Sequence, residues 1–268
     1  MVSVARDETG DETVCHGARE AGWGGPLLIT FVRLPMILLG YLAFFGFFVL
    51  TGSGSPWGRT LGYANFFVSV TADVGCLLLL AWLLHREGKR LRDLTGFRRG
   101  GLTRDVLIGL GLFVVLGTAF FVASALGALL VYGPAAFDPN AAREAQTFSY
   151  DPPLWVLWWA TLVLPLTVAF AEEMTYRGYA LPRLVALTGR PWIGVVIVSV
   201  GFGLQHAALP LVDWRTSLSR ILAMFLVGIV FGVLYLRLKR LVPLIVGHWA
   251  LDFLFLGLFP LLAVLVAR

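Results

Sequence analysis

The chain has 268 residues, 58% of them hydrophobic and only 14% charged, with 30 Gly, 20 Phe and 9 Trp and a mean hydropathy of +0.83. A soluble domain runs to roughly 45–50% apolar and about 25% charged residues, so these figures exclude a water-soluble globule. The formal charge of +5 does not point to a nucleic-acid partner, because the Lys and Arg residues lie beside apolar runs, where they act as topology signals, instead of forming one soluble patch.

Taken in order, residues 1–25 are polar and carry Asp7, Glu8, Asp11, Glu12 and Glu20 against Arg6 and Arg19, the reverse of a signal peptide's basic start. They read as a disordered tail ahead of a single transmembrane domain over 26–268. Apolar runs follow at 26–50, 61–84, 105–133, 154–188, 191–210, 218–237 and 241–266. Each is near the roughly 20 residues that carry a helix across about 30 Å of hydrocarbon. Pro260 is expected to split the last run, for seven or eight spans in all. The runs are continuous, whereas barrel strands alternate apolar and polar residues, so the fold class is all-α and polytopic.

Cys15 lies in the polar tail and Cys76 in an apolar run, which predicts two free thiols and no thiolate metal site. Between Arg86 and Arg104, the seven basic residues Arg86, Lys89, Arg90, Arg92, Arg98, Arg99 and Arg104 meet only Glu87 and Asp93. The positive-inside rule makes that connection cytoplasmic. Threading the spans from it puts the N-terminus inside and 138–151 outside, and returns Arg183, Arg190, Arg237, Lys239 and Arg240 to the inside. The expected location is a bacterial inner membrane, with lipid around the whole helical domain.

A charge at the bilayer centre costs at least about 2.5–3.5 kcal/mol, so ionisable groups inside the spans carry the functional information. Arg33 is expected to snorkel to the inner interface. The others cluster in the C-terminal half: Glu172, Glu173 and Arg177, then His206, then His248 and Asp252. Arg177 follows Glu173 by four residues, which predicts an ion pair on one helix face and leaves Glu172 aimed elsewhere. A desolvated carboxylate without a local partner is suited to deprotonating water; its structural alternative is a carboxyl held by a neighbouring helix for packing. His248 and Asp252 are also four apart, so the acid is placed to accept the imidazole N–H and aim the other ring nitrogen. If the membrane helix ends near Arg183, with Pro182 turning the chain along the cytoplasmic face, Glu172 lies roughly 16 Å from the inner interface and the three groups approach one level. Glu and His on three apolar helices form a set able to activate water, with or without a metal.

The order EExxxR, FxxxH, HxxxD on successive apolar helices resembles the CPBP family of intramembrane proteases, also called the Abi or type II CAAX prenyl endopeptidase family. The matching stretches are AEEMTYRGYALPRL, VSVGFGLQHAAL and LVPLIVGHWALDFL, within a protease-like core at about 154–256. The resemblance implies that Glu172 and His206 activate a water, that His248 and Asp252 contact the site or stabilise the oxyanion, and that Glu173 and Arg177 brace the helix. It implies a membrane-embedded or lipidated peptide substrate. It leaves the cofactor open between none and zinc, for which Glu173, His206 and His248 would be the ligands. HExxH, GxSG and GxGD, the marks of other intramembrane proteases, are missing. Two alternatives stand beside the protease: a proton-coupled transporter burying the same groups along a conduction path, and a non-proteolytic immunity or binding member of the family.

Overall fold

The computed structural model describes residues 22–96, 101–137, 153–209, 211 and 213–267. The expected tail up to residue 21, Arg98 and Arg99 of the basic connection, and the outer connection 138–151 lie outside the described residues. Among those described, every regular element is helical. In chain order they are α1 (Gly24–Phe31), α2 (Arg33–Leu50), α3 (Pro56–Arg86), α4 (Leu91–Thr95), α5 (Leu102–Tyr132), α6 (Leu154–Leu162), α7 (Leu164–Glu172), α8 (Leu181–Thr188), α9 (Pro191–Gln205), α10 (Trp214–Leu238), α11 (Val242–Asp252) and α12 (Phe259–Ala267). Wide π-helical segments, Glu173–Ala180 and Phe253–Leu258, join α7 to α8 and α11 to α12. Seven stretches are long and apolar enough to cross a membrane: Arg33–Leu50, Phe66–Arg86, Leu102–Phe137, Leu154–Thr188, Pro191–Ala208, Trp214–Leu238 and Val242–Val266. The protein is a multi-pass membrane protein.

Prolines account for the interruptions. Pro35 cannot donate to the carbonyl of Phe31 and its ring crowds that group, so the first apolar run breaks at Val32 into α1 and α2. Pro165 acts in the same way on Thr161 and separates α6 from α7 at Val163. The two π segments each end shortly before a proline, Pro182 and Pro260, whose rings would collide with the carbonyls of Gly178 and Leu256 in a tight helix. The last run therefore changes geometry over 253–258 without dividing into two spans. Helix also starts earlier than expected, at Gly24, because Pro26 in the first turn needs no amide partner.

Trp23, Trp82 and Trp192 are exposed at the end of the bundle that carries the basic connection, and Trp57, Trp155 and Trp214 are exposed at the other. These are the two interfacial aromatic belts. At the basic end, Arg183 pairs with Glu87, which also accepts from the Tyr179 hydroxyl at 2.9 Å, and Arg240 meets Asp105 at 2.6 Å. Lipid tails are as apolar as leucine, so helices associate in a bilayer through close packing at small residues. On α9, a Cβ at Gly201 would lie 2.5 Å from the backbone oxygen of Thr30, and one at Gly203 would lie 2.7 Å from that of Ile221. Helix α9 is thereby wedged between α1 and α10, and its C-terminal end is fixed near the bundle centre.

Candidate functional site

Buried polar groups converge from α2, α3, α7, α9 and α11. Glu173 and Arg177 form the expected pair, with Arg177 Nη1 donating to Glu173 Oε1 at 3.1 Å and both side chains fully buried. The Arg177 guanidinium lies 4.6 Å from the ring centroids of both Phe202 and Phe231. The two aromatic faces thus flank the cation and supplement its single carboxylate partner. The same rings stand 5.0 Å from the imidazoles of His206 and His248 respectively, so Phe202 and Phe231 space the site's three cationic or titratable heads.

His248 is oriented differently from the sequence expectation. Its Nδ1 donates to Glu173 Oε1 at 2.9 Å, a bond between helices, while Asp252 Oδ2 lies 3.5 Å from the other nitrogen, Nε2. Glu173, not Asp252, therefore fixes the Nδ1 proton. The i,i+4 spacing brings Asp252 beside the ring, but the imidazole turns its Nδ1 edge across the interface. Nε2 faces Glu172 Oε2 at 3.8 Å. His206 Nδ1 bonds the Phe202 carbonyl at 2.7 Å, and because a carbonyl only accepts, the proton sits on Nδ1 and Nε2 is left as the acceptor.

Glu172 has no partner on its own helix, as the spacing anticipates, yet it is not unpaired. Gln205 Nε2 donates to its Oε1 at 3.0 Å, and Arg33 Nη2 lies 3.2 Å from the same oxygen. Oε2 is buried and accepts no hydrogen bond from the described residues. Arg33 does not snorkel: it is 1% exposed and its Nη1 meets Asp73 Oδ1 at 2.5 Å. Two carboxylates inside the bundle outweigh the distant interface as partners for the guanidinium. Sequence reading missed Asp73 and Gln205. Asp73 carried a usable signal, an acid inside the apolar run 61–84; Gln205 did not, since an amide beside a histidine is ordinary.

The zinc alternative asks for Glu173, His206 and His248 as a ligand set. Glu173 Oε1 is shared by Arg177 Nη1 and His248 Nδ1, while Glu173 Oε2 accepts no hydrogen bond from the described residues and Nε2 of each histidine faces away from its Nδ1 bond. Among the described residues no group of three His, Cys, Asp or Glu side chains is disposed to hold a metal ion. As disposed in this structure, the set Glu173, His206 and His248 does not close a three-ligand site.

Residues 153–254 match the family model described as Rce1-like, type II CAAX prenyl endopeptidase. No curated protein and no solved structure matches the chain. The matched stretch contains Glu172, Glu173, Arg177, His206, His248 and Asp252, whereas Arg33 and Asp73 lie outside it.

Proposed function

We propose that this chain is an intramembrane endopeptidase that cleaves a membrane-associated, CAAX-like peptide with a glutamate-activated water, a reading supported by the match of residues 153–254 to the Rce1-like type II CAAX prenyl endopeptidase family model. The observation that carries the reading is the asymmetry of Glu172. Its Oε1 is occupied by Gln205 and Arg33, while its buried Oε2 is open and faces His248 Nε2 across 3.8 Å.

In this mechanism a water at Oε2 gives a proton to Glu172 as its oxygen attacks the scissile carbonyl carbon. His206 Nε2, left as an acceptor by the Nδ1 bond to Phe202, orients that water. The carbonyl electrons move to oxygen, and an N–H from His248 Nε2 stabilises the oxyanion. With Nδ1 also donating, His248 is then an imidazolium, a charge matched by the adjacent carboxylates of Glu173 and Asp252. Collapse breaks the C–N bond, and the proton held by Glu172 passes to the leaving amine. Arg177 holds Glu173 in place and does not touch the reacting atoms.

The test is cleavage of a quenched fluorescent peptide ending in a farnesylated CAAX tail by the purified protein in lipid vesicles. A positioned base is worth about 10²–10⁴ in rate, so Glu172→Gln should fall to near background. Absence of cleavage by the wild type, or Glu172→Gln activity within tenfold of it, would overturn the proposal.

A further inference from the structure

The open oxygen of Glu172 is selected from outside the stretch that matches the protease family. Arg33 opens α2, directly after the break that Pro35 imposes, and Asp73 lies within α3. Both side chains are about 1% exposed. One nitrogen of the Arg33 fork meets Asp73 Oδ1 at 2.5 Å and the other meets Glu172 Oε1 at 3.2 Å, so a single planar group joins carboxylates from two different helices. Neutralising Asp73 would need only one of those contacts. The second falls on the oxygen that Gln205 also holds, and this leaves Oε2 directed at His248 Nε2.

We infer that Arg33 and Asp73 are positioning residues of the site: Asp73 orients the guanidinium plane, and the guanidinium fixes which oxygen of Glu172 is presented to the reacting water. The inference rests on the reading of Glu172 as the base. It makes the first two spans, and not only the family-matched core, part of the working enzyme. A fork held at two points transmits orientation, whereas a lysine ammonium is a point charge that does not hold both carboxylates in one plane.

Kinetics on the farnesylated quenched peptide test this. Arg33→Met should lower kcat about 10²-fold with KM within twofold of wild type, because a misplacement on the order of 1 Å costs about that factor. Arg33→Met strands Asp73, so its thermal midpoint in detergent should also fall. Adding Asp73→Leu removes the stranded acid and should recover thermal stability without recovering kcat. A merely structural pair would recover both, and a double variant with kcat within threefold of wild type overturns the inference. Arg33→Lys serves if those variants do not fold: a tenfold lower kcat at unchanged KM supports the clamp, while wild-type kcat or a loss carried by KM overturns it. A measurement without substrate reads the contact itself. Thermal midpoint shifts of Arg33→Met and Glu172→Gln should combine less than additively, and strict additivity overturns the contact. Failure of the underlying function looks different, as cleavage that survives Glu172→Gln.

Discussion

Adjacent glutamates at 172 and 173 show how burial makes two identical side chains unlike. Glu173 is the carboxylate partner of Arg177 and also holds His248, so Glu173→Gln leaves a fully buried guanidinium without its counter-charge. Breaking such a pair costs about 3–5 kcal/mol. Glu172→Gln costs less, since Arg33 keeps Asp73. In detergent, Glu173→Gln should therefore melt well below Glu172→Gln, and the reverse order would exchange their roles. At His206, removing the ring deletes the acceptor that would orient the water in the proposed mechanism but leaves Glu172 with both Oε1 partners. His206→Ala should lower peptide cleavage at least tenfold with little further loss in combination with Glu172→Gln, since groups acting on one water are not additive. Near wild-type cleavage would remove His206 from the mechanism.

At the level of elements, α9 delivers Gln205 and His206 to Glu172 only because it packs without side chains at Gly201 and Gly203. A methyl at Gly203 would meet the Ile221 oxygen at 2.7 Å and the Phe225 nitrogen at 3.2 Å, both backbone atoms of α10 that do not rotate away. Gly203→Ala should cost about 1–3 kcal/mol, read as a lower thermal midpoint, and an unchanged midpoint would refute the wedge. The start of α10 is secured differently. Asp213 accepts from the backbone amides of Arg215 and Thr216 and from the Thr216 hydroxyl at 2.5 Å. The Thr216 hydroxyl above all, then its amide, holds the Asp213 carboxyl below the usual range. A depressed folded value means that the cap stabilises above the unfolded value near 3.9 and is lost as pH falls through the folded one. The stability deficit of Asp213→Ala should thus be full at neutral pH and shrink as the medium is acidified below about pH 4. A deficit independent of pH would show that the carboxylate charge is irrelevant to the cap.

Across the whole molecule, exposed tryptophans lie at both ends of the bundle, and the positive-inside rule predicts that the end with the basic connection faces the cytoplasm. In a background without Cys15, an impermeant thiol reagent should reach Arg92→Cys only from the cytoplasmic side and Gly54→Cys only from the opposite side. Labelling of both from one side would overturn the orientation. The buried donors also bear on metal dependence. Since no group of three His, Cys, Asp or Glu side chains among the described residues is disposed around an ion, and the proposed mechanism uses Glu172 alone as base, a membrane-permeant chelator should leave cleavage of the farnesylated peptide unchanged. Loss on chelation with recovery on added zinc would show that these side chains rearrange around an ion.

The sequence by itself determined what is local or compositional. Apolar runs of membrane length demanded helices, because backbone groups in hydrocarbon have no other partner. The four-residue spacing of Glu173 and Arg177 determined their pair, since both ends lie on one helix. The family stretch was legible from EExxxR, FxxxH and HxxxD for the same reason: each motif is read within one turn. Only the tertiary structure decided the partners that cross between helices. It drew Arg33 away from the interface to Asp73 and Glu172, replaced Asp252 by Glu173 at His248 Nδ1, and brought Gln205 to Glu172. These contacts span tens to more than a hundred residues of chain, and their geometry follows from glycine-mediated helix approach and proline-driven breaks. A buried charge takes whichever counter-charge the packing supplies, and no spacing along one helix encodes that choice.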